Sequence, residues 1–430
     1  MFHPIHHTFA PLADREQRNL ALRLLLRPNL RKGNAARTML RTELSRRLQG
    51  SAFLFASGRE ALLAFLRSCS FPDGSEIIVQ GYTCVVVPNA IHAAGLVPVY
   101  ADIEKDTLNL DPDDVASRIT DRTKVVICQH TFGIPAPVER LRELCDRHGL
   151  LLIEDCAHVL PDADGPMEVM SKGDALLLSF GRDKAISGIT GGAIVVKNKQ
   201  QTTHNTQPAN ELTNKPANEL TLNLSREENQ APGLPGGIVL RLLLYPWLYF
   251  FARPLYGLGI GKWKLAAWRM LGLLVPIVTP EEKRGTQGQK VHAMPEACAH
   301  LILQQFKKLH DINIHRRALV KYYLEACAKH GWPVLHAING SLPLQKFPLF
   351  FPDADGIRRK LKRRNIHLDD GWTGCVVCPR SISKEEAGYR KGSDPRAEEV
   401  AVSILSLPTH PGTSVFDASR LVEALSANMQ

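Results

Sequence analysis

The chain has no run of about 20 uninterrupted apolar residues, the length a helix needs to cross a bilayer. Its two most apolar stretches, 237–253 and 263–275, contain Arg241, Arg253, Lys264 and Arg269, and Pro246 interrupts the first, with Pro254 just beyond it. Proline breaks a helix interior, so neither stretch is expected to span a membrane. A disulfide framework is missing too: nine cysteines lie mostly in apolar runs without regular spacing. With no signal-peptide pattern at the start, this predicts the reducing cytoplasm. Cys375 and Cys378 form a lone CxxC with no second ligand pair, which favours two buried thiols over a zinc site or a redox pair. No nucleic-acid-binding motif occurs, and aromatics are absent from the basic stretch near the start, so no nucleic-acid partner and no metal are expected. Acids are scarce there as well: residues 1–50 hold ten Lys or Arg against three acids, giving +7 of the chain's +10.

What is present is organised around residues 150–184. Leu150, Leu151, Leu152 and Ile153 lead into Glu154 and Asp155, the pattern of a buried parallel strand that carries a carboxylate to its end. His158 follows. A second apolar run from Ala175 to Phe180 leads into Gly181, Arg182, Asp183 and Lys184. Ligands of open α/β sheets sit beyond the carboxyl ends of the strands, so one pocket can hold both the acid and the amine. Pyridoxal 5'-phosphate (PLP) needs that pair: a lysine to hold it as a Schiff base and an acid to keep its ring nitrogen protonated. The plainer alternative is a helix-capping Asp155 and a solvated Lys184.

The wording around these residues resembles the DegT/StrS-type sugar aminotransferases, PLP enzymes of fold type I. The resemblance runs in order through ASGREALL (56–63), VQGYTCVVVPNAI (79–91), ICQHTFG (127–133), IEDCAH (153–158) and LSFGRDK (178–184), and resumes at LSLPTHPG (405–412). It implies an α/β fold with a large, mainly parallel sheet domain and a small C-terminal α+β domain. It implies Lys184 as the catalytic, cofactor-bearing lysine, Asp155 on the ring nitrogen and His158 on the phenolic oxygen. Ser179 and the turn at Gly58 would hold the phosphate, and Tyr82 would stack on the ring, unless it is simply a packed tyrosine. Arg59 replaces the threonine usual after that glycine; its backbone N–H serves a phosphate equally well, and its guanidinium either adds a contact or points outward. The family's upstream Asn and Arg are replaced by Lys290, Val291, His292 and Ala293. A transaminase is implied, taking an amino group from an amino acid, glutamate above all, and giving it to a nucleotide-linked keto-sugar, with a homodimer as the working unit. A lipid-linked acceptor, or a non-catalytic homologue in a membrane glycan-synthesis complex, is the alternative.

Length predicts more than one domain: a basic segment 1–50, a PLP-binding domain 51–200, an insertion 201–287, and an interdomain helix with a small domain 288–430. The polar stretch 199–229 contains an imperfect duplication, PANELT at 208–213 and 216–221, and reads as a surface loop. Helices in 237–276 and 19–27 combine leucine and aromatics with arginine and lysine. Such helices suit peripheral contact with an anionic membrane on its inner face, or packing against the rest of the protein or a partner subunit.

Overall fold

The computed structural model describes residues 4–6, 12–162, 169–198, 217–286, 288, 290–368, 371–382 and 384–427. The first copy of the duplication lies outside these residues. A seven-stranded sheet organises the first half: β1 (Gly50–Phe55), β2 (Glu76–Gln80), β3 (Val97–Ala101), β4 (Thr123–Gln129), β5 (Leu151–Asp155), β6 (Ala175–Ser179) and β7 (Gly192–Lys197). Their order is β1-β7-β6-β5-β4-β2-β3. β7 is antiparallel to both neighbours and the other pairs are parallel. Parallel strands require crossovers, and helices supply them: α3 (Gly58–Ser68), α4 (Val86–Ala93), α5 (Pro112–Arg118) and α6 (Val138–His148) follow α1 (Arg15–Leu26) and α2 (Ala35–Leu48). Both sheet faces are covered, so the strands read as continuous apolar runs, and β6 is buried throughout except at Ser179.

Alternation along β5 gives its two acids different fates. Glu154 turns to one face, where it accepts from His130 Nε2 at 2.9 Å and from the N–H groups of Met170, Lys172 and Gly173 at 2.7, 2.8 and 2.6 Å. Burial disfavours its charge, but His130 and these N–H groups outweigh burial and lower its pKa. His130 Nδ1 accepts from Ala136 N–H, so Nε2 carries the proton that goes to Glu154. His130, Glu154 and Cys156 bring three ligand-type atoms within 4.8 Å of one another. The histidine nitrogens and the Glu154 oxygens already have protein partners, which makes the cluster a structural tie.

Beyond the sheet come α7 (Ala217–Gln230), α8 (Gly236–Ala252), α9 (Ile260–Met270), α10 (Glu296–Phe306) and α11 (Leu309–His330). Last are β8 (Lys346–Phe350), α12 (Ala354–Arg363), α13 (Pro395–Ser403), β9 (Ile404–Pro408), antiparallel to β8, and α14 (Val415–Ser426). Two expectations fail here. The stretch 217–229 is not a loop: Leu220 and Leu224, four residues apart, turn to the core, and Glu228 accepts from Leu54 N–H at 2.8 Å and pairs with Arg41. Pro246 does not end α8, which continues to Ala252. Leu242, Leu243 and Tyr245 pack with Ala21, Leu24, Ala297 and Leu301, holding the helix on the protein through the lost hydrogen bond. With the following turn it forms 20 residues, Gly236–Leu255, with a mean hydropathy of 1.3, long and apolar enough to span by length and composition.

At the start of α13, Asp394 is fully buried, beside the space a side chain at Gly81 would need. Burial first, then nearby Asp102, raises its pKa from 3.8 to about 7. Between those values the folded chain keeps a proton that the unfolded chain has released. Stability contributed by this group therefore falls as pH rises through that window. Asp394→Asn is expected to flatten the fall, measured as Tm against pH from 4 to 7.

Candidate active site

The residues singled out in the sequence lie at the carboxyl ends of β1, β2, β5 and β6. β1 and β6 flank β7, and because β7 runs the other way its first residue, Gly192, lies at that same end. A side chain on Gly192 would strike Ser57 and Gly58, so its absence lets the two loops meet. Thr190 Oγ1 donates to Ala56 O at 2.6 Å across the same junction. As a result a Cβ on Gly58 would sit 3.1 Å from Ser179 Cβ and 3.3 Å from its hydroxyl. Ser57 caps α3 by accepting from Glu60 N–H, and the first-turn N–H groups of Gly58 and Arg59 have no partner within the helix. A hydroxyl beside a helix N-terminus is an anion cradle.

The Arg59 side chain is engaged away from the turn. Its guanidinium is taken up by Glu282 and by the Ile277 carbonyl at 2.7 Å. A carboxylate from 223 residues away outcompetes the turn, and only the backbone N–H of Arg59 remains at the cradle. His292, which stands where the family has its upstream Asn and Arg, donates its backbone N–H to Glu60 at 3.0 Å and so joins the start of α3.

Asp155 is 4% exposed and accepts from Ala157 N–H at 3.0 Å. A neighbouring cation by itself would lower its pKa. Burial raises it, with Ala157 N–H and then the Lys184 charge pulling the other way. The same lysine acts on His158 and Cys84, so Lys184, Asp155 and His158 share one electrostatic neighbourhood. The Lys184 loop is anchored by Arg316, which donates to the Lys184 carbonyl at 3.4 Å, and by Gln345, which donates to Asp183 O. His158 Nδ1 accepts from Phe132 N–H at 3.2 Å, leaving the proton of the neutral ring on Nε2. Burial, then Lys184 and Lys346, pushes the His158 pKa well below its usual value, so the ring stays neutral.

Tyr82 is fully buried, and its hydroxyl donates to Trp372 O at 2.8 Å. Its ring meets Phe132 and Trp372 edge-on, at 6.2 and 5.5 Å between centroids. These contacts fix the position of the Tyr82 ring. Three residues here were missed from sequence. Phe132 stacks on His158 at 5.9 Å, Trp372 meets His158 edge-on at 5.1 Å, and the fully buried Lys346 amine lies 5.4 Å from both rings. Phe132 sits at φ 56°, a left-handed conformation costing about 1–2 kcal/mol for a non-glycine residue. The donation to His158 and the Gln345 N–H on its own carbonyl at 2.8 Å hold it there. The only sequence signal was a tryptophan in the glycine-flanked segment 371–374.

A primary amine, a buried carboxylate, a neutral imidazole and a hydroxyl beside a helix start fit PLP in every donor. The sheet order with one antiparallel strand, together with that set, defines the fold type I class of PLP enzymes. The chain belongs to the DegT/DnrJ/EryC1/StrS aminotransferase family, whose model matches residues 42–214 and 280–426. The unmatched 215–279 contain α7, α8 and α9. The chain is 36% identical over 140 residues to the GDP-perosamine synthase of Vibrio cholerae, a match spanning 33% of this chain and 38% of that one. In structure it is similar to DesI, solved in the presence of its TDP-sugar product, at a TM-score of 0.70, 22% identity and coverage of 99% and 93%. It is also similar to the PLP form of the putative sugar aminotransferase Spr1654 from Streptococcus pneumoniae, at 0.71, 18% identity and coverage of 100% and 99%. These two structural likenesses establish the fold.

Proposed function

We propose that the protein is a PLP-dependent aminotransferase that passes an amino group from glutamate to a nucleotide-linked keto-sugar. The observation that carries this reading is the placement of Asp155 at the end of β5 and of Ser179 and Lys184 at and just beyond the end of the adjoining parallel β6. PLP, once bound, supplies the electron sink that acidifies the Cα–H of the donor. Asp155 would sit at the ring nitrogen and keep it protonated, and the Nε2–H of His158 would donate to the phenolic oxygen. Ser179 and the N–H groups of Gly58 and Arg59 hold the phosphate, and Tyr82 limits the ring's movement. Lys184 then carries a proton from Cα to the carbon that receives it, as base and then acid. The family, the GDP-perosamine synthase relative and the TDP-sugar product of DesI favour a nucleotide-linked sugar as acceptor. We further place the enzyme as a homodimer in the cytoplasm, held at the inner face of a membrane through 19–27 and 237–276.

The test is the purified protein with PLP, L-glutamate and a panel of GDP- and TDP-linked 4-keto sugars, scored by mass spectrometry for the amino sugar and by 2-oxoglutarate release. Formation of both supports the reading. Release of 2-oxoglutarate with a lipid-linked keto compound alone would move the acceptor to the membrane, and neither product with any acceptor would refute transamination.

A further inference from the structure

Helices α1, α8 and α9 share a surface that the catalytic reading leaves unused. The indole N–H of Trp247 donates to Arg18 O at 2.9 Å, and the Arg18 guanidinium lies 4.3 Å from the centre of the Phe250 ring. Two basic, apolar segments more than 200 residues apart in sequence are thereby joined. Along α9, Ile260, Trp263, Ala267 and Met270 fall at i, i+3, i+7 and i+10, one stripe of a helix. Among the described residues Trp263 is 71% exposed, Met270 89%, and Leu271, just past the helix end, 72%. Lys262 and Arg269 border the stripe on one side and Lys264 on the other, while Leu265 and Trp268 are partly buried on the opposite face. Leu26 on α1, 73% exposed, and Phe251 on α8, 53%, extend the apolar area.

Charge selects the occupant. Residues 231–280 contain five Lys or Arg and no acid, and residues 17–42 contain seven and no acid. An apolar stripe of tryptophan, leucine and methionine bordered only by cations matches a bilayer interface, where the ring enters the headgroup layer and the cations meet lipid phosphates. The inward side of α8 is packed against α1 and α10, so the surface lies on the membrane and does not cross it. We propose that the α1–α8–α9 surface docks this protein on a bilayer rich in anionic phospholipid, with the α9 stripe inserted. This deepens the placement at the inner membrane face and is independent of the transamination chemistry.

The experiment is sedimentation of the full-length holoenzyme with vesicles of phosphatidylcholine alone, or of phosphatidylcholine and phosphatidylglycerol in equal parts. Two variants are compared with it: Trp263→Ser/Met270→Ser/Leu271→Ser, and Lys262→Gln/Lys264→Gln/Arg269→Gln. All six positions lie on or beside the exposed stripe, and none touches the active site. Binding is expected only to the anionic vesicles, and each variant is expected to lose about tenfold or more in partitioning. Transamination of a soluble acceptor should be unchanged in both, so failure of docking and failure of the catalytic reading are separable. No sedimentation of the wild-type protein with anionic vesicles overturns the proposal. So does equal binding by the apolar variant, or a change in its oligomeric state without a change in vesicle binding, which would make the stripe a contact between copies of the chain.

Discussion

Lys184→Ala is expected to abolish the visible absorbance of lysine-bound PLP and to lower transamination by more than about a thousandfold, since acid–base transfer alone contributes about 10²–10⁴. The outcome is informative because the site holds two amines. Lys346 is fully buried close to Phe132 and Trp372, and its charge, like that of Lys184, is felt by His158. The Lys184 charge is also felt by Asp155. A cofactor whose ring nitrogen meets Asp155 must have its aldehyde within reach of an amine across the ring, and the loop 181–184, anchored by Arg316 and Gln345, supplies one. Lys346→Ala should therefore keep the absorbance band. A band that survives in Lys184→Ala and disappears in Lys346→Ala would exchange their roles. Titration with PLP followed by borohydride reduction and peptide mapping identifies the modified lysine directly.

The strand ends were legible in the sequence because buried parallel strands are apolar runs, and a polar residue at the end of such a run is conspicuous. Asp155 and Ser179 show it. Local patterning was also enough for the glycine turn at Gly58 and for α1. What could not be read locally comes from far along the chain. Arg59 is claimed by Glu282, and Tyr82 is capped by Trp372, 290 residues away. No local spacing announces either contact. Composition misled at 217–229, where polar residues outnumber the two leucines that hold the helix in place. At Asp155 the sequence shows a cation but not the extent of burial, and burial decides the direction of its pKa.

The adjacent acid is where the fold itself is most vulnerable. Glu154 is fully buried and gathers four donors: the His130 ring and the N–H groups of Met170, Lys172 and Gly173. Glu154→Ala leaves all four without an acceptor inside the protein. Each buried donor left unmade costs about 1–3 kcal/mol. Four such donors come to about 4–12 kcal/mol, and even if repacking recovers half, the loss is about 2–6 kcal/mol, a large share of the 5–15 kcal/mol that typically stabilises a folded protein. Little soluble protein, or a sharply lowered urea midpoint, is the expected result. Glu154→Gln keeps the shape and one acceptor oxygen but turns an amide N–H₂ toward existing donors, so an intermediate loss is expected. The sign with pH follows from the lowered pKa: the stabilisation is complete above the ordinary glutamate range and disappears as acid protonates the folded carboxyl below it. The gap between each variant and the wild type should therefore narrow as the pH falls through that range, read from urea midpoints. A wild-type midpoint for Glu154→Ala at neutral pH would show that the 170–173 turn and His130 are held by something other than this carboxylate. The turn lies directly before β6, so loosening it also frees the strand that delivers Ser179 and Lys184, and PLP affinity should fall together with stability in Glu154→Gln.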